Sequence, residues 1–233
     1  MKSLYLYVNL FTVLVPFLFS FHKKLKFHLH FLSFLKASTL VAIPFIMWDS
    51  YFTSLGVWGF NENYISGIKV LHLPIEEVLF FICIPFSCVF TYHCLQLFFS
   101  LKWAERTERY IIIILVLFLF VTGIIYLSHL YTSVTFISLA ILLLILKFYF
   151  QVKWLSSFLS VYVVLLVPFS IVNGILTGTG LESPVVWYNE SHIIGLRLLT
   201  IPFEDVFYGL ELLLLNVFFY HRFLDEKANK VGR

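Results

Sequence analysis

From Tyr110 to Leu127 the chain runs without a single charged side chain, and six other segments are nearly as apolar: Leu4 to Phe21, Phe31 to Phe52, Pro74 to Phe99, Thr132 to Phe150, Leu155 to Leu176 and Pro202 to Tyr220. A hydrocarbon core of about 30 Å takes roughly 20 apolar residues per helix, so each run approaches or exceeds a membrane span. Composition agrees, because 61% of the residues are apolar and only 12% charged, too little polar surface for a domain held in water. The fold class expected is therefore all-α, a polytopic membrane protein of about seven transmembrane helices. The first run is expected to be a helix and not a cleaved leader, since Phe17-Leu18-Phe19-Ser20-Phe21 lacks the small residues of a cleavage site.

Two stretches of this apolar chain match each other. Leu73-Pro74-Ile75-Glu76-Glu77-Val78 recurs 128 positions later as Ile201-Pro202-Phe203-Glu204-Asp205-Val206. Upstream, Asn61-Glu62-Asn63-Tyr64-Ile65-Ser66-Gly67-Ile68 falls without gaps on Asn189-Glu190-Ser191-His192-Ile193-Ile194-Gly195-Leu196, and Lys69 falls on Arg197. A shared displacement over so many residues marks an internal duplication. It divides the chain into a three-helix repeat over 1–103, a spacer helix over 104–130 and a second three-helix repeat over 131–233. Three helices plus one spacer return the chain to its starting side, so the repeats are expected to be parallel, with both acid pairs at the same membrane face, where they could line one cavity.

Basic residues set the orientation. One side carries only Lys2, Lys69 and Arg197, whereas the other collects Lys23, Lys24, Lys26, Lys102, Arg106, Arg109, Lys153, Arg222, Lys227, Lys230 and Arg233. The positive-inside rule then expects an outer N-terminus and a cytoplasmic C-terminus in a cell (inner) membrane.

Each acid pair has an ordinary reading as a helix start. Pro74 and Pro202 suit the first turn, where no backbone donor is needed, and Glu76-Glu77 and Glu204-Asp205 would favour the positive end of the helix dipole. The neighbouring residues argue for more. Asp49 lies near the end of the second helix and Asn173 in the corresponding part of the sixth; acids inside apolar segments are costly and tend to face a functional interior. Glu204, Tyr208 and Glu211 recur at helical spacing and form one polar stripe, and Glu76 shares its face with Phe80, Cys83 and Ser87. Glu76 and Glu204 are thus expected to point inward, with Glu77 and Asp205 about 100° round the helix. Adjacent carboxyls in a dry site cannot all ionise, which leaves one available as a general acid.

Other chemistries find less support. Cys83, Cys88 and Cys94 do not share one helical face, so neither a disulfide framework nor a zinc set follows, and packing is their expected role. The histidines His22, His28 and His30 form a single cluster beside lysines, not the several clusters of a membrane hydroxylase. The arginine that follows paired glutamates in intramembrane CAAX-type proteases is missing, and the last helix has no lysine for a retinal Schiff base. No Gly-x-Gly-x-x-Gly appears, so a dinucleotide-binding fold has no support, and no metal or other cofactor is evident.

Trp48-Asp49, Asn61-Glu62 and Leu73-Pro74-Ile75-Glu76-Glu77, with Asn173-Gly174-Ile175-Leu176-Thr177-Gly178, Tyr188-Asn189 and Ile201-Pro202-Phe203-Glu204-Asp205, give the chain a resemblance to the lycopene cyclase domain family, in the form that fuses both half-domains. The resemblance implies an isomerase of carotenoid biosynthesis. Such an enzyme protonates the terminal double bond of lycopene, closes the ring on the cation and releases a proton to leave a β-ionone ring. For that chemistry the sequence offers Glu76 or Glu204 as the acid and a neighbouring carboxylate, Glu77 or Asp205, as the base, with Phe80 and Tyr208 as candidate faces for the cation and Asp49, Asn173, Glu211, Pro74 and Pro202 in support. Its partners would be a linear carotenoid and the lipid bilayer, with no nucleic acid. The alternative from another class is a small proton-coupled transporter, whose acids carry protons between parallel repeats; Pro16, Pro44, Pro85 and Pro168, inside the apolar runs, leave room for the interrupted helices transport uses. Trp58, Trp187, Tyr64 and Tyr188 read best as an interfacial aromatic belt.

Overall fold

All seven apolar runs are helical in a computed structural model, which describes residues 2–231. The helices are α1 Leu4–Phe19, α2 Phe31–Ser54, α3 Ile75–Phe98, α4 Glu105–Ile125, α5 Leu130–Leu144, α6 Leu155–Leu176 and α7 Phe203–Val231. A 3-10 turn, Phe27–His30, extends α2 backwards, and a π turn, Ile145–Tyr149, carries α5 onward. Among the described residues five stretches are long and apolar enough to cross a membrane: Phe27–Ser54, α3, α4, Leu130–Tyr149 and α6. At 16 residues α1 is shorter, about 24 Å by helical rise. The 29-residue α7 carries five acids, Glu204, Asp205 and Glu211 among its apolar positions and Asp225 and Glu226 beyond them. Apolar side chains such as Phe11, Ile114, Val163 and Val167 stand exposed along the helices, as they must where the solvent is lipid. Pro44, Pro85 and Pro168 lie inside helices that continue past them.

The chain packs as two compact units. One takes the residues up to Leu97 together with those from Leu212 onward; the other runs from Phe98 to Glu211. In the first unit Phe27 is fully buried, its ring edge-on to those of Phe31, Phe86 and Phe90. Small hydroxyls tie its helices: Ser38 donates to the Phe81 carbonyl and Ser87 to that of Thr12. In the second unit α4 lies close on α5. A Cβ added to Gly123 would come within 2.7 Å of Ile137 Cγ1, so glycine is what permits the approach. Lys147, on the π turn, pairs with Glu108 of α4, both side chains being largely enclosed.

Irregular backbone is concentrated before α3 and α7, where the duplicated motif takes the same shape twice. Lys69–Val70 pairs antiparallel with Leu73–Pro74, and Arg197–Leu198 with Ile201–Pro202. Each hairpin turns through two residues, Leu71-His72 or Leu199-Thr200, and the leucine is held at φ 57° or 58°. Glu62 binds Lys69 and Glu190 binds Arg197, both at 2.6 Å. The sequence reading put Pro74 and Pro202 in the first turn of a helix. They are instead the last strand residues, and the helices begin at Ile75 and Phe203, whose amides donate to Ile68 and Leu196 at 2.9 Å. Proline fits there because it needs no ladder donor at that position.

Candidate active site: two acidic half-sites

Each hairpin delivers its acid pair into the first turn of a helix, beneath the loop that precedes it. In the first half-site Gly67 adopts φ 89°, a conformation open to glycine at little cost, and the loop folds back so that the Ser66 amide donates to Glu76 Oε1 at 2.6 Å. Asn9 of α1 donates to the Glu76 main-chain carbonyl at 2.7 Å. The Glu76 side chain is fully buried, and its Oε2 meets no donor. Glu77 accepts the Tyr5 hydroxyl at 2.6 Å, and the Tyr5 ring stands edge-on to Phe80 at 6.3 Å.

The second half-site repeats this plan, with a further donor on its glutamate. Gly195 takes φ 84°, the Ile194 amide donates to Glu204 Oε1 at 2.7 Å, and the Thr132 hydroxyl reaches the same oxygen at 2.6 Å. Glu204 is again fully buried with Oε2 unpartnered. Asp205 accepts Tyr131 on Oδ1 at 2.8 Å, and Asn173 and Tyr188 on Oδ2 at 2.8 and 2.9 Å. Both Asp205 oxygens are therefore occupied, which fits a residue that organises the surroundings of Glu204.

The polar stripe on α7 faces α5 along its length. Glu204 meets Thr132, the Tyr208 ring lies edge-on to Tyr131 at 6.1 Å, and Glu211 accepts the Ser138 hydroxyl at 2.8 Å. Asp49 is buried on α2. Pro74 and Pro202 are buried and contribute shape, not a functional group. Tyr188, read from sequence as part of an aromatic belt, instead directs its hydroxyl to Asp205.

Sequence reasoning missed Tyr5, Asn9, Tyr131, Thr132 and Ser138. A signal existed in Leu4-Tyr5-Leu6-Tyr7-Val8-Asn9-Leu10-Phe11-Thr12, which lies on Leu130-Tyr131-Thr132-Ser133-Val134-Thr135-Phe136-Ile137-Ser138 at a displacement slightly different from that of the acid motifs. Tyr5 and Tyr131 thus occupy equivalent places, each donating to the second acid of its own copy.

Buried carboxyl oxygens without a donor are uncommon, because an unpaired acceptor retains the cost of its lost hydration. Glu76 Oε2 and Glu204 Oε2 share that state, while Oε1 of each is pinned by a backbone amide. An oxygen so placed can carry or receive a proton without first breaking a hydrogen bond to the protein.

Apolar spans and a twice-built buried carboxyl define a polytopic membrane protein with a duplicated acidic site. The family described as lycopene cyclase matches residues 2–95 and 128–223, and the chain belongs to that family. The matched blocks contain α1, α2, α5 and α6 whole and most of α3 and α7, with α4 between them. A bifunctional lycopene cyclase/phytoene synthase of Aspergillus niger is 28% identical over 85 residues, covering 34% of this chain and 15% of the fungal protein. The match therefore spans a small part of that relative's length. No solved structure matches the chain.

Proposed function

We propose that this protein is a carotenoid cyclase that closes the linear ends of lycopene to β-rings. The observation that carries the reading is the pair of fully buried glutamates, each with one oxygen fixed by a backbone amide and the other free of donors. Family membership supplies the class of reaction.

In the reaction a carboxylic acid gives its proton to the terminal carbon–carbon double bond, leaving a tertiary cation. The π electrons of a neighbouring double bond attack that cation, which closes a six-membered ring and moves the charge onto a ring carbon. A carboxylate then removes a proton beside that charge, restoring an alkene. One proton enters and one leaves, so no electron carrier is consumed and the product is an isomer of the substrate. Glu76, Glu77, Glu204 and Asp205 are the candidate proton carriers. Aromatic faces stabilise a desolvated cation by about 0.5 to 2 kcal/mol each, and Phe80 and Tyr208, one helical turn beyond Glu76 and Glu204, are the candidate rings. Burial serves this chemistry directly, since water would capture the cation.

The distribution of Lys and Arg supports a cell (inner) membrane location with the N-terminus outside. The duplication supports a repeat over 1–103, a spacer over 104–130 and a second repeat over 131–233. The test is expression in a bacterium that accumulates lycopene, with chromatography of the pigments. Conversion to a cyclic carotenoid is expected; lycopene left unchanged by protein demonstrably in the membrane would overturn the proposal.

A further inference from the structure

Resting on the cyclase reading, we infer that Thr132 is a positioning residue which holds Glu204 as the carboxylate that receives the proton in the last step. The two glutamates agree in burial, in the backbone amide on Oε1 and in the unpartnered Oε2. At the carboxyl itself they differ in one respect. Glu204 Oε1 takes a second donor, the Thr132 hydroxyl at 2.6 Å, whereas the aligned position in α1 is Leu6, which has no donor to offer. Glu76 Oε1 is held by the Ser66 amide alone.

Two donors on one carboxyl oxygen fix its place more firmly than one, because each hydrogen bond is directional. The Thr132 separation falls in the range of hydroxyl-to-carboxylate bonds. Thr132 is itself fully buried. With Oε1 clamped from two directions, the direction in which Oε2 faces the ring cation is set as well. That direction matters chemically. The ring cation is flanked by a methyl, a methylene and a methine carbon, and the one that loses a proton fixes the position of the new double bond. The proton passes from that carbon to Glu204 Oε2, the C–H electron pair becomes the ring alkene, and the charge is cancelled.

The experiment compares Thr132→Val, which keeps the shape and removes the donor, with Thr132→Ser, which keeps the donor. In lycopene-accumulating cells and in membranes, Thr132→Val should lower kcat about 10- to 100-fold with little change in KM, the range expected for losing a hydrogen bond to a charged group. It should also yield a mixture of ring-alkene isomers where the unaltered protein yields one. Thr132→Ser should restore both rate and product. Unaltered rate and products in Thr132→Val, or a Ser variant no better than Val, would overturn the inference. A second arm reads the carboxyl without turnover. In infrared difference spectra of the purified protein, Thr132→Val should shift a carboxyl band, and the same substitution in a Glu204→Gln background should shift none. The opposite pattern would overturn the role of Thr132 even in an active enzyme. Failure to convert lycopene by the unaltered protein would instead strike the cyclase reading, leaving the infrared arm to decide what Thr132 does to Glu204.

Discussion

The Tyr131 hydroxyl donates to Asp205 across 2.8 Å, joining α5 to the first turn of α7, and Tyr5 makes the equivalent bond to Glu77 between α1 and α3. Each bond links the first and third helices of its own copy and surrounds the neighbouring glutamate with fixed groups. Tyr131→Phe keeps the ring and removes the donor. Losing a hydrogen bond to a buried acid costs about 1.5 to 3 kcal/mol, so the melting temperature in detergent should fall by several degrees. Tyr5→Phe should behave in the same way.

The glutamates themselves should fail differently. Glu76→Gln and Glu204→Gln preserve size and remain neutral, so both proteins should accumulate in the membrane, while lycopene conversion falls by at least about a hundredfold, the scale of a lost general acid or base. Glu62→Gln and Glu190→Gln, at the exposed ion pairs, should leave conversion near its original value. Pigment profiles alongside membrane immunoblots would check all four. Full conversion by either buried variant would remove that residue from the reaction.

Glu108 and Lys147 provide a stability test away from the acids. Both side chains are largely enclosed, so Lys147→Met strands a buried carboxylate at a cost of about 3 to 5 kcal/mol. Replacing both, as Glu108→Gln with Lys147→Met, should recover most of that loss. Thermal unfolding of the single and double variants would show it; a double variant as unstable as the single one would contradict the account.

The hairpin tips make the fourth case. Leu71 and Leu199 are 68% and 73% exposed and held at left-handed φ, where a branched-chain residue costs about 1 to 2 kcal/mol relative to its preferred regions. Asparagine tolerates that conformation better. Leu71→Asn and Leu199→Asn should therefore match or exceed the original stability, by up to about 1 kcal/mol each, as read from melting temperatures. A clear loss would mean that the leucines make contacts worth more than the strain.

Which parts were legible in sequence follows from how the copies diverged. The acid motifs and the loops before them keep one displacement throughout, so Glu76 and Glu204 announce each other, and apolar runs announce the helices. Tyr5 and Tyr131 share a displacement of their own, as do Pro44 and Pro168, because loop lengths changed between the copies while the helices kept their register. An ungapped comparison therefore passes over them. The hairpins were hidden for another reason: two-residue strands leave too little alternation to see, and a leucine gives no warning of a left-handed turn. Tyr188 was misread because a boundary tyrosine looks the same whether its hydroxyl meets headgroups or an aspartate.

The Ser66 and Ile194 amides, reaching equivalent carboxyls with equivalent geometry, give this protein something most chains lack, a control experiment inside a single molecule. A side chain unique to one copy can be transplanted to its counterpart, with expression level, lipid surroundings and substrate supply held common to both. Whatever differs afterwards belongs to the transplanted group.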